Sequence, residues 1–353
     1  MYRDIAHAVY RRGEASMDGY QLPGWGWGLL ILDIIIFLPA ILVVSYTLHN
    51  IYPVLAMIED PSPPAYEPVS LNGDTQSFAD DTSPVADEAA RGSETRAITA
   101  SFRATHRTLY SISGWISYFR GFACYIAMFA ATMFIYSIMV GTFVPSLIAA
   151  PVCAIAFVQL YTAWVHIVIS APSPKPFWRR LPPFKKTFQA TALPVVVYFF
   201  AVEFSSFIAT LLGLALGLPR WNPSQPGAVP QGDANDIWKA LIVLIVSLVL
   251  KVFLVIPVHV VLTRVQASLL PEEDETIVPF DRSFQGTVEP AIVGNKGFVS
   301  PMDAWKTFSR ASWIRLVKLY VKIFLVGLAL CVAWMAVVVP ELLVIFRYAK
   351  KIE

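Results

Sequence analysis

Six stretches of this chain, at about residues 28–50, 121–140, 146–170, 190–218, 237–263 and 319–346, are apolar over the roughly 20 residues that a helix needs to cross a bilayer. Hydrocarbon offers backbone N–H and C=O groups no water, so a spanning segment must satisfy them within itself, as a helix. Six such segments in one chain predict an all-α membrane protein. The composition agrees: 56% of residues are hydrophobic and only 15% charged, with mean hydropathy +0.58, which is too little polar surface for a soluble domain. A formal net charge of +2, with the bases scattered at helix ends, argues against nucleic acid as a partner and leaves the lipid bilayer.

The segments form pairs. A small unit recurs near the inner ends of the first, third and fifth: Thr47-Leu48-His49-Asn50-Ile51, Trp164-Val165-His166-Ile167-Val168 and Pro257-Val258-His259-Val260-Val261. A histidine at matching depth in every second span predicts three pseudo-repeated helix pairs, at about 28–144, 145–235 and 236–346, within one membrane domain covering 1–353. A second repeat is independent of the first. Ser113-Gly114-Trp115-Ile116-Ser117-Tyr118-Phe119-Arg120-Gly121 aligns without a gap with Ala311-Ser312-Trp313-Ile314-Arg315-Leu316-Val317-Lys318-Leu319. Just upstream, Phe102, His106, Leu109 and Ser113, and likewise Ala304, Phe308 and Ala311, are spaced as on short helices lying along the membrane surface.

Orientation follows from the bases. Lysines and arginines in the loops after spans one, three and five outnumber those on the other side by more than two to one, so these loops face cytosol or matrix and both termini face away. The N-terminal segment 1–27 is polar, with no apolar core beside a cleavage site, and is not a secretory signal.

These features together resemble the mitochondrial carrier family, whose members have three repeats. Each repeat has an odd helix ending in Pro-x-(Asp/Glu)-x-x-(Lys/Arg), a surface helix, and a Gly-x-x-x-x-aromatic-basic-Gly entry to an even helix. Gly114 to Phe119-Arg120-Gly121 matches that entry, and Pro257 through Arg264-Val265-Gln266 looks like an odd-helix end. Phe184-Lys185-Lys186 with Pro194, Tyr198, Phe199 and Glu203 is similar to an even-helix entry, and Asp303-Ala304-Trp305-Lys306-Thr307 to a surface helix. The resemblance implies a six-helix transporter of a small or lipid-related solute, or a non-exchanging protein derived from one, in the inner or outer mitochondrial membrane; other endomembranes are the alternative. The chain also departs from the pattern. Where carriers place acids on the odd helices it has His49, His166 and His259, and where they place bases it has Tyr52, Ile169 and Leu262, so the family's inner gate of ion pairs cannot form there.

Ionisable groups in hydrocarbon are costly, about 3 kcal/mol each on insertion scales, so Asp33, Glu203 and Lys251 need a reason. They are candidates for a central polar site, with Lys251 meeting an anionic group and an acid balancing it; a structural ion pair between helices serves the charges equally well. The three repeat histidines permit a three-nitrogen metal site if symmetry gathers them. Hydrogen bonding to nearby backbone is the commoner role for such a residue, so no metal or other cofactor is expected.

The loop 59–96 is rich in Pro, Ser, Asp and Glu without apolar periodicity, the composition of a disordered segment. Within it Pro63-Pro64-Ala65-Tyr66 has the form Pro-Pro-x-Tyr, which docks in polyproline form on WW domains of ubiquitin ligases. The alternative function is therefore a membrane adaptor or sorting protein that recruits such a ligase through Pro63, Pro64 and Tyr66. Phrases such as Leu22-Pro23-Gly24-Trp25-Gly26-Trp27-Gly28 and Glu275-Thr276-Ile277-Val278-Pro279-Phe280 also resemble fungal six-span proteins labelled ubiquitin-carrier or ubiquitin-conjugating. Conjugation needs an accessible cysteine, whereas Cys124, Cys153 and Cys331 all fall in apolar runs. With no Walker sequence, nucleophile elbow or His-Glu-x-x-His, the expectation is a protein that is not an enzyme. Gly213 and Gly217 fit a small-xxx-small packing face, and Pro39, Pro145, Pro151, Pro194, Pro257 and Pro340 predict kinks.

Overall fold

The structure is a computed structural model that describes residues 20–21, 23–60, 97–219, 233–288, 297–348 and 350–351. Its helices are α1 (Gly24–Leu42), α2 (Tyr52–Ile58), α3 (Phe102–Ser113), α4 (Phe122–Gly141), α5 (Ser146–Ala156), α6 (Val158–Ile169), α7 (Phe184–Ala215), α8 (Ala234–Leu250), α9 (Ile256–Ala267), α10 (Pro301–Lys306) and α11 (Arg310–Arg347). A two-residue antiparallel pair, β1 (Tyr20–Gln21) with β2 (Lys350–Lys351), is the one sheet among the described residues. Five helices are long and apolar enough to cross a membrane, or six when α5 and α6, bent by 54° at their junction, count as one span. The all-helical membrane architecture expected from the apolar stretches is therefore present.

The helices overrun the apolar stretches. The first runs continuously over Gly24–Ile58, 35 residues, where hydropathy alone marks 28–50. Helical hydrogen bonding does not stop where the hydrocarbon does, so the helix continues until its end can be capped.

Mid-helix interruptions fall in every odd-numbered span. π-helical Val43–Ile51 joins α1 to α2, and π-helical Lys251–Val255 joins α8 to α9. Each lies just ahead of a proline in the first turn of the next segment, Pro53 or Pro257. Proline lacks an N–H and its ring collides with the carbonyl four residues back, here His49 and Phe253; widening the turn to π geometry relieves that collision without ending the helix. The third odd span is interrupted by the bend at Phe157. By contrast Pro39, Pro151, Pro194 and Pro340 sit inside unbroken α-helices.

The two aligned Trp-containing stretches differ in conformation. Gly114–Phe119 forms a 3-10 turn between Gly114 (φ +59°) and Gly121 (φ +69°), whereas Ala311–Leu319 lies wholly within α11. Ser312 and Leu319 stand where the first stretch has its glycines, and those side chains favour the right-handed helix. Gly213 and Gly217 act otherwise than the packing motif implies. Gly217 (φ +65°) donates to the Leu214 carbonyl at 2.9 Å, and the next residue, Leu218, donates to the Gly213 carbonyl at 3.0 Å. That is the Schellman end of α7, and its expected apolar contact is there too, with Leu218 Cδ1 3.8 Å from where a Gly213 Cβ would stand.

The chain divides into two compact units, one comprising 1–48, 208–247 and 321–353, the other 49–207 and 248–320. In the first, α1 and α11 meet through Trp25 edge-on to Tyr348, with ring centroids 6.0 Å apart, and through Gly26, whose missing Cβ admits Ile345 to 3.1 Å. Most of the remaining surface of these helices is exposed apolar side chain, among them Ile34, Ile35 and Ile36, as lipid-facing helices require. In the second unit, buried Ala190, Val265, Phe284, Val299 and Ala304 form one core cluster, and Val158, Val195 and Leu262 another.

Candidate functional site

The ends of the three odd spans converge in the second unit, where α2, α6 and α9 all pack on one another. Every residue of α2 is buried, as are Thr162 to His166 of α6 and Leu262 to Ala267 of α9. A helix end leaves up to four carbonyls unbonded, so a buried junction of three such ends needs donors from elsewhere. Arginines supply them.

Arg264, 4% exposed, donates from Nη1 to the Met57 carbonyl at 3.3 Å and from Nη2 to Thr307 Oγ1 at 3.0 Å. Its guanidinium lies 5.0 Å from the centre of the Phe284 ring and 5.5 Å from that of Phe308. Arg315, from the first turns of α11, donates through Nη2 to the Glu59 carbonyl at 2.8 Å, while its Nη1 lies 3.6 Å from Glu59 Oε2. The Glu59 carboxylate also accepts from the Thr99 N–H at 3.0 Å, from the Ile98 N–H and from the Thr99 hydroxyl. Arg120 donates to the Ile167 carbonyl at 3.1 Å and to that of Ser170, closing the end of α6. A guanidinium fits this task because its planar fork reaches two acceptors and its charge opposes the negative end of the helix dipole. Each charge-assisted bond of this kind contributes about 1.5 to 3 kcal/mol.

Two further links complete the closure. His166 Nε2 lies 2.9 Å from the Gln266 carbonyl, and Gln266 Nε2 donates to Thr162 Oγ1 at 3.4 Å, tying α6 to α9. Beyond α6, Ala171 donates to the Glu275 carbonyl at 2.7 Å and Ile277 to the Ile169 carbonyl at 2.9 Å, so the Glu275-Thr276-Ile277 phrase straps that helix end. Arg180 donates to Ser170 Oγ at 2.6 Å and pairs with Asp274 at 3.4 Å across the strap. Next to this junction is an aromatic layer: Tyr161 stacks on Trp164 with centroids 5.7 Å apart, and Tyr198 on His259 at 5.0 Å.

The sequence-predicted site residues are distributed differently from the expectation. The three histidines do not share one setting: His49 is exposed in the π segment ahead of Pro53, His166 is buried against Gln266, and His259 lies 3.3 Å from the Tyr161 hydroxyl. No group of three or more His, Cys, Asp or Glu able to hold a metal forms among the described residues, so the three-histidine site is not assembled there. The histidines also differ in their place on the chain: His49 precedes Pro53 by four residues, in the π segment, whereas His259 follows Pro257 by two, inside α9. Of the proposed central polar residues, Glu203 and Lys251 are exposed on α7 and the π segment, and Asp33 is buried, with an Oδ2 that has no hydrogen-bond partner among the described residues. Pro63, Pro64 and Tyr66 lie outside the described residues. Glu59, assigned by composition to the polar loop, is instead 1% exposed and anchors the end of α2.

The arginine closure was not singled out by motif reasoning. Its signal in the sequence is the set of bases at the edges of apolar spans, which interfacial anchoring accounts for equally well. Comparison with protein-family profiles, with curated proteins and with solved structures returns no match for this chain.

Proposed function

We propose that this chain is an integral membrane protein of carrier type, built from three helix pairs, that moves a small or lipid-related solute across a mitochondrial membrane. The observation that carries this reading is the convergence of α2, α6 and α9. Three interrupted spans end in one buried junction on the side of the basic loops, held by hydrogen bonds that can break and reform. Mitochondrial carriers close this side with ion pairs between acids and bases on the odd helices. Here the donors are Arg120, Arg264 and Arg315, and the acceptors are mainly helix-end carbonyls, a closure that needs no conjugate acid on each helix. The missing gate residues at His49, His166 and His259 are thereby accounted for.

The test is a reversible lock. Thr162 and Gln266 face each other between α6 and α9, so a cysteine pair at these positions, in a chain otherwise without cysteine, should form a disulfide that holds the junction shut. In proteoliposomes offered a panel of labelled small anions, nucleotides and fluorescent lipids, some member of the panel should enter with the pair reduced, stop on oxidation and resume on reduction. Uptake of no panel member by the unmodified protein, or uptake indifferent to the lock, would overturn the reading. Protease cleavage of the 59–96 loop only after the inner mitochondrial membrane is opened is the expected topology result; cleavage in intact organelles would instead put the loop in the cytosol.

A further inference from the structure

We propose that the tip of the α4–α5 hairpin is a lipid-binding surface: Phe143 enters the acyl chains of the leaflet opposite the basic loops, and the turn that carries it ends within hydrocarbon rather than in water.

The sequence sets this hairpin apart. From Gly121 to Pro174 there is no Asp, Glu, Lys or Arg, so two apolar arms and the turn between them run without one such charge. The connection from α7 into the start of α8 instead carries Arg220, Asp233, Asp236 and Lys239, as a connection in water does.

The turn also meets the condition that hydrocarbon sets. Phe143 N–H donates to the Val140 carbonyl and Val144 N–H to the Met139 carbonyl, both at 3.2 Å. Thr142 N–H donates to the Ile138 carbonyl at 3.0 Å, and the Thr142 hydroxyl to that of Met139 at 2.9 Å. Residue 145 is proline and has no N–H, so every donor from Thr142 to Pro145 is satisfied by the last carbonyls of α4.

This is a Schellman end like that of α7, but phenylalanine (φ +69°) takes the left-handed place that Gly217 takes there. A side chain in that place is strained, and this one is 96% exposed. In water nothing offsets the strain and an aromatic ring lies bare; among acyl chains, transfer of the ring into hydrocarbon offsets it. Leu147 and Ile148, exposed in the first turn of α5, extend the apolar surface.

Length agrees. The rise of α4 is about 29 Å, and α5 with α6, bent by 54° where they meet, advances about 25 Å along the α5 axis, neither more than the roughly 30 Å of hydrocarbon. A hairpin that starts at the edge of the basic side therefore turns beneath the far headgroups. This inference is independent of whether the chain moves a solute.

The test is electron paramagnetic resonance of a nitroxide at Phe143→Cys, and separately at Leu147→Cys, in the full-length protein otherwise lacking cysteine, in lipid nanodiscs. Relaxation by oxygen, which concentrates in hydrocarbon, is compared with relaxation by a water-soluble nickel chelate. Exposed Asp233, just ahead of α8, labelled as Asp233→Cys, is the reference for water. At both tip positions the oxygen-to-nickel ratio should stand well above the reference. Phe143→Asp added to Leu147→Cys should lower that ratio, as the charge draws the tip toward water. A tip ratio equal to the reference would place the turn in water, and poor access to both reagents would show it covered by protein, a second copy included; either result overturns the proposal, as does a ratio at Leu147 indifferent to Phe143→Asp. If Phe143→Cys fails to fold, Leu147→Cys, with Phe143 in place, decides by the same readings.

Discussion

The guanidinium of Arg264 is held between the ring of Phe284, 5.0 Å away, and the carbonyl of Met57, 3.3 Å away, so one side chain joins the end of α9 to the end of α2 and to the loop that follows α9. Phe284 is itself 1% exposed and adopts a left-handed conformation, φ +49°, followed by Gln285 at +59° and Gly286 at +79°. The Asp281 carboxylate makes that turn possible. It accepts from the Ser283 N–H at 2.9 Å, the Ser283 hydroxyl at 2.6 Å and the Gln285 N–H at 2.7 Å.

Arg264→Ala leaves the buried Met57 carbonyl without its donor and removes the contact with two rings, so it should destabilise the protein by about 3 kcal/mol. Arg264→Lys restores the charge but not the planar fork, and should recover less than half of that loss. Unfolding of the reconstituted protein in a denaturing detergent series measures both, and equal stability of lysine and arginine would show that charge alone suffices.

Asp281 links this turn to pH. Partial burial pushes its carboxyl up, but hydrogen bonds from Ser283 and Gln285 and the charge of Arg264 outweigh that and hold it below the ordinary carboxylate range. A group held low in the folded state contributes stability above its unfolded value, about 3.9 for aspartate, and that contribution disappears as pH falls through the folded value. The melting temperature should therefore drop on acidification from about pH 5 to pH 3 by more in the wild-type protein than in Asp281→Asn. Parallel curves for the two proteins would rule this linkage out.

Gly121 has φ +69°, and a Cβ there would lie 3.0 Å from Trp164 Cδ1. Gly121→Ala should cost about 2 kcal/mol, from left-handed strain together with displacement of a buried indole. Fluorescence of Trp164, read in a variant lacking the other tryptophans, should shift as the ring moves.

The two glycines at the end of α7 should respond in opposite senses. Gly217→Ala forces a side chain into the left-handed cap and should cost about 1 kcal/mol, whereas Gly213→Ala, inside the helix where its methyl would meet Leu218 Cδ1 at an ordinary contact distance of 3.8 Å, should be neutral or stabilising by up to about 1 kcal/mol. If they instead formed a helix-packing face, both substitutions would destabilise.

The sequence by itself determined that this chain is helical and lies in a membrane, because hydrocarbon leaves the backbone no other way to satisfy its hydrogen bonds and the apolar stretches are visible by length alone. It also marked Asp33 as an acid requiring an explanation, and the bases at the span edges. Only the tertiary structure decided what those groups meet. Arg264 reaches Met57, Arg315 reaches Glu59 and Arg120 reaches Ser170. Such partners are mostly backbone carbonyls, which every residue carries, so no residue pattern announces them. The same limit explains the histidines: their spacing suggested one shared depth, but what each meets, exposure for His49, the Gln266 carbonyl for His166 and Tyr161 for His259, is fixed by packing.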